Sequence, residues 1–150
     1  MSSNDDALRQ RLLGSWKLVS AVREEIPSGR KTDYFGPKPS GYLTYSPDGR
    51  MIALIVRGDR ARPASDVATA AEAESLFRGV VSYAGPFAVE GDQVTHHVDI
   101  SWNEGWTGTV QKRTVRFDGD RLQLSTPVSP GPLDGVMSVR TMTWERVARG

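Results

Sequence analysis

A chain of 150 residues makes one domain and is long enough to bury its own core. Its 38% hydrophobic and 25% charged residues are a globular composition, and the net charge of +1 is dispersed, which excludes the basic stripe of a nucleic-acid binder. Without cysteine there are no disulfides, thiolate nucleophiles or cysteine metal sites.

Met1–Gln10 is polar and lacks the apolar stretch of a signal peptide. No run approaches the ~18 apolar residues of a membrane span. A cytoplasmic protein with no membrane partner is therefore expected. Residues 1–8 read as a loose tail, with a short helical turn over Ala7–Leu13, and residues 9–150 as the single domain.

Gly14–Val22 alternates as a strand, and the Gly- and Pro-rich residues 26–40 read as a long loop. Gly41–Tyr45 and Arg50–Val56 form a hairpin around Ser46-Pro47-Asp48-Gly49. Thr69 and Glu72 make a capping box. Ala73, Leu76, Phe77, Val80 and Val81 then follow at helical spacing, which predicts one amphipathic helix over 70–82. Phe87–Glu90 and Gln93–Trp102 flank a Gly91-Asp92 turn. Thr107–Phe117 and Asp120–Thr126 flank an Asp118-Gly119 turn, and a last strand spans Val136–Val147. Eight strands with short turns close into an all-β, antiparallel, up-and-down barrel with one inserted helix.

Turn geometry sets the register, and register sets the facing. Glu90 pairs with Gln93, so Phe87 faces His96. Tyr45 faces Met51, and Leu43 faces Ala53. Val115 faces Leu122, Arg113 faces Leu124 and also His96, and Val98 faces Gln111. The inner face then holds Leu43, Tyr45, Met51, Phe87, His96, Val98, Gln111, Arg113, Leu122 and Leu124. A mostly apolar wall with a few polar groups is the profile of a small-molecule pocket, and an enclosed Arg needs a carboxylate, a ligand or water. The outward Ile52, Leu54 and Val56 need cover, from the helix or from a second subunit in a homodimer.

An inward His96 beside Arg113 and Tyr45 suits either catalysis, as acid–base groups and an oxyanion partner, or ligand holding, or a structural hydrogen-bond network. Gln111, Phe87, Val98, Met51 and Leu124 would line the ligand space, and Trp102 and Trp106 would rim its mouth or anchor packing. His97, Asp99 and Ser101 alternate outward and form a row rather than a triad. His96 and His97 point to opposite faces, so no metal site is expected. No phosphate-binding glycine loop is present, so no nucleotide cofactor is expected. Arg57, Arg60 and Arg62 make a solvated loop or a weak anion site.

Leu13-Gly14-Ser15-Trp16-Lys17-Leu18-Val19-Ser20 resembles the Gly-x-Trp opening of lipocalins. With Gly41–Gly49, Val94–Val98, Asp118–Thr126 and Trp144-Glu145-Arg146-Val147, it resembles the bacterial and fungal lipocalin-like domain proteins over residues 10–148. The resemblance implies a calycin-type barrel in which Arg146 packs on Trp16 by a cation–π contact. It also implies, through members placed in biosynthetic pathways, isomerase or cyclase chemistry as an alternative to binding. The expected functions are, in order, a binding barrel for a small hydrophobic molecule with a polar or acidic group, a cofactor-free isomerase, cyclase or lyase, and a structural domain with a filled core.

Overall fold

Tight turns and alternating burial close the sheet on itself. The computed structural model describes residues 2–148. In chain order the elements are α1 (Ser3–Leu12), β1 (Gly14–Glu25), β2 (Lys31–Asp33), β3 (Ser40–Tyr45), β4 (Arg50–Val56), α2 (Ala70–Phe77), β5 (Val80–Glu90), β6 (Gln93–His97), β7 (Ile100–Ser101), a one-turn helix at Glu104–Trp106, β8 (Val110–Asp118), β9 (Arg121–Ser125), β10 (Ser129–Pro130) and β11 (Met137–Arg146). Strands β3, β4, β5, β6, β8, β9 and β11 pair in succession, and β1 pairs with both β11 and β3. The result is a closed eight-stranded antiparallel barrel, which leaves no long unpaired edge among these strands. No helix among the described residues is long and apolar enough to cross a membrane.

Burial alternates strictly along β4 and through most of β5, as period-two side chains on a curved sheet require. Two hairpin registers follow their turns as expected: Glu90 pairs with Gln93 and Phe87 with His96, and Tyr45 pairs with Met51. Two others differ by two residues. Gly119, at φ 60°, is the first central residue of the β8–β9 turn, so Asp118 pairs with Arg121 and Val115 with Leu124, not Leu122. Across β6–β8, His96 pairs with Gln111 and Val94 with Arg113. A shift of two preserves the facing, so the inward set is unchanged while its neighbours are exchanged.

Within the expected loose tail 1–8, residues 3–8 are already helical, as part of α1. Ser2 accepts a hydrogen bond from the Asp5 amide and caps α1. Asp5 and Asp6 sit in the first turn and Arg9 and Arg11 near the last, as the helix dipole favours. Helix α1 closes one end of the barrel: Leu12 is buried, its carbonyl accepts from the Trp16 indole (2.9 Å), and Arg11 lies over Phe117.

At the other end, the predicted loop 26–40 contains β2, paired to β1, and then buries Tyr34 and Phe35 in the core. Helix α2 stops at Phe77. Its capping box is present, but Val80 and Val81 belong to β5, where they pair with Val56 and Ile55. Those cross-strand partners outweigh a helical spacing the two valines fit equally well. None of α2 is buried, and it leaves Ile52 and Leu54 exposed.

β5 changes partner midway. Its C-terminal half pairs with β6 and Tyr83–Ala84 pairs with β7, while Asp99 N–H donates to Ala84 O. Gly85 lies at the crossover, where a Cβ would stand 1.8 Å from the His97 carbonyl oxygen, so only glycine fits.

Candidate functional site

His96 is at the centre of the lumen. It lies inward on β6, 1% exposed, between two phenols: Tyr45 Oη is 2.7 Å from Nε2 and Tyr83 Oη is 2.8 Å from Nδ1. A neutral imidazole has one donor and one acceptor nitrogen. One tyrosine therefore donates to the ring and the other accepts from it, which leaves the accepting tyrosine's own proton available. Burial first, then the Arg113 and His97 charges, lower the imidazole pKa to about 3 and hold the ring neutral. Burial likewise raises both phenols, Tyr45 well above its ordinary value; Arg113 opposes the rise in each.

The adjoining cavity is walled by Tyr34, Phe35, Leu43, Ala53, Ile55, Val81, Tyr83, His96, Trp106, Arg113, Leu124, Thr126, Pro132, Arg140, Met142 and Trp144, with no Asp or Glu among them. These side chains fill most of the interior and leave a cavity of only about 40 Å³. Arg140 is 5% exposed and hydrogen-bonded to neutral oxygens, those of Ser129 and Ser138. Its desolvation lowers its pKa. The indole N–H of Trp144, itself buried, has no protein partner.

Of the residues singled out in the sequence, His96, Arg113, Leu124 and Trp106 line this cavity. Tyr45 stands behind His96 and packs edge-on against Phe87, their rings 4.8 Å apart. Met51 and Val98 are core residues beside it. Gln111 is half-buried and donates to Thr109 Oγ1. Trp102 is not on the lumen. It packs edge-on against Trp106, with ring centres 5.0 Å apart, and lines an outer groove with Ile52, Ala84 and Ile100. Asp99 pairs with Arg50, and Arg57 pairs with Asp59.

The sequence does not mark Tyr83, Arg140, Tyr34 or Trp144 as luminal. Tyr83 alternates with Val81 and Phe87, a signal hidden by the overlong helix. Arg140, Met142 and Trp144 alternate along β11, where the turn-based register did not reach.

Arg146 lies over Trp16 at 4.2 Å and donates to the carbonyls of Leu13 (2.7 Å) and Arg11 (2.6 Å), locking α1 to the barrel.

A closed antiparallel barrel with a narrow, largely apolar lumen and a few inward polar groups is a calycin-type architecture. The profile of the lipocalin-like domain family matches residues 13–147, and the chain belongs to that family. It is also similar to the 4'-hydroxy-3'-methoxypropiophenone carrier protein ppsC of Aspergillus oryzae (strain ATCC 42149 / RIB 40), with 33% identity over 81 residues that cover 49% of this chain and 72% of the relative.

Proposed function

We propose that this barrel binds and carries a small, largely aromatic molecule in its lumen. The observation that carries the reading is the cavity wall: apolar and aromatic over most of its surface, with convergent hydrogen-bonding groups at Tyr83, His96 and Arg113. The relative named as a carrier of an aromatic ketone supports the same class of ligand. The free space of about 40 Å³ is too small for a ring as it stands, so binding requires side chains of the wall, the half-buried Trp106 and Met142 among them, to move.

In this reading Leu124 and Trp106 pack on the ligand. Phe87, Met51, Val98 and Gln111 shape the wall from behind, and Tyr45 orients His96. A binding role is better supported than an isomerase, cyclase or lyase using His96, Arg113 and Tyr45. Acid–base catalysis wants an imidazole titrating near neutral pH, and burial between two phenols works against that. The cysteine-free sequence suits a reducing compartment, and we place the protein in the cytoplasm. The uncovered Ile52 and Leu54, continuous with Tyr42 and Ile100 through the β3–β4–β5–β7 pairings, are the face we assign to a second copy of the chain.

Titration with 4'-hydroxy-3'-methoxypropiophenone, followed by tryptophan fluorescence, tests the reading. Saturable quenching through Trp106 and Trp144 is expected, and Ala53→Leu, which narrows the cavity, should weaken it. No saturable change with this or any comparable ring compound would leave a barrel with a filled core.

A further inference from the structure

Two guanidinium groups, the buried Arg140 and the half-buried Arg113, line the same cavity without a carboxylate. Arg140 and Thr126 are joined strand to strand: Thr126 N–H donates to Arg140 O (2.9 Å) and Arg140 N–H donates to Thr126 Oγ1 (3.1 Å). Continuing the β8–β9 register by one residue past Thr114–Ser125 sets Arg113 on the other side of Thr126. Arg113, Thr126 and Arg140 thus form a transverse row on three adjacent strands. All three face the lumen, and the outer two are roughly 10 Å apart at Cα.

The neighbouring acids are committed elsewhere. Asp134 and Glu25 pair with Arg23, which is next in the row on β1. Among the described residues neither Arg113 nor Arg140 has a carboxylate within 4.0 Å. With His96 neutral, the cavity wall carries two positive charges and no negative one. Arg140 is buried among neutral oxygens and the half-buried Arg113 donates to the Lys112 carbonyl (2.9 Å), so neither guanidinium has an anionic partner, and one entering anion supplies it. The unpartnered Trp144 indole N–H, in the same wall, is a further donor for that anion or for an oxygen beside it.

We propose that the Arg113–Thr126–Arg140 row is an anion subsite, and that the lumen takes planar aromatic carboxylates, with the carboxylate on this row and the ring between Tyr83 and Trp144. The inference rests on the luminal binding role and narrows its ligand class. A carboxylate matches the planar fork of a guanidinium, whereas a neutral ketone or amide leaves both charges unanswered.

Calorimetric titration of the full chain with trans-cinnamate and with its near-isostere cinnamamide, at pH 7 and low salt, tests it. Cinnamate should bind about tenfold or more tightly than the amide. Arg113→Gln should remove most of that preference, weakening cinnamate about tenfold and changing cinnamamide less than about twofold. Arg140→Gln should do the same. Because Arg140 is held by Ser129 and Ser138 and its loss threatens folding, the half-buried Arg113 carries the test, with circular dichroism as the check on fold. Equal binding of acid and amide, or a preference that Arg113→Gln leaves intact, would overturn the anion subsite while leaving luminal binding in place. Binding of neither probe would overturn both.

Discussion

His96 makes the barrel's stability depend on pH in a way that can be isolated. Unfolded, the imidazole binds a proton at its ordinary pKa of 6.5; in the barrel, desolvated between two phenols, it holds none until about pH 3. Between those limits the unfolded chain takes up the extra proton, so stability is lost as the pH falls through 6.5 and continues to be lost down to about 3. Acidification from pH 7 to 4.5 therefore removes roughly 2–3 kcal/mol through this one group.

Carboxylates also respond to acid, Asp59, Glu72 and Asp134 among them, because their hydrogen bonds lower their pKa values. A variant cancels their share. His96→Gln keeps a donor and an acceptor for Tyr45 and Tyr83 but cannot titrate. Urea unfolding of both proteins at pH 7 and at pH 4.5 should show the wild type losing roughly 2–3 kcal/mol more than the variant. Equal losses would refute the enclosed, neutral imidazole, as would an NMR titration midpoint for His96 near 6.

Two further changes probe the supports of the site. Arg146→Met removes the cation over Trp16 and two hydrogen bonds to carbonyls at the end of α1; it should destabilise the protein by roughly 1–2 kcal/mol and speed amide exchange in α1 first. A loss under about 0.3 kcal/mol would show that the lock at that end is idle. Gly85→Ala drives a methyl into the His97 carbonyl and should leave little folded protein, read as soluble yield and melting temperature; an unchanged melting temperature would contradict the crossover of β6 on β5.

The two halves of this protein differ in how openly the sequence announces them. Gly91-Asp92 and the turn before Arg50 fixed facing and partner together, so Phe87, His96, Tyr45 and Met51 were legible as a cluster. At Asp118-Gly119-Asp120 three residues compete for two central positions, and alternation cannot choose between registers that differ by two. Alternation therefore sets Arg113 on the luminal face but cannot tell Val94 from His96 as its partner. Val80 and Val81 satisfy helical and strand periodicity at once, and their partners Val56 and Ile55 lie far away in the chain. Tyr34, Phe35 and Arg140 reach the lumen from a Gly- and Pro-rich loop and from the final strand. Local pattern there says nothing about what closes over the barrel.

A crystal structure of the chain with a bound aromatic ligand, the propiophenone or cinnamate, puts the luminal site to its most direct test. Density for a ring between Tyr83, Arg113 and Trp144, with Trp106 or Met142 displaced, is the expected result. Density confined to the outer groove at Ile52, Ile100 and Trp102, with the lumen unchanged, would contradict it.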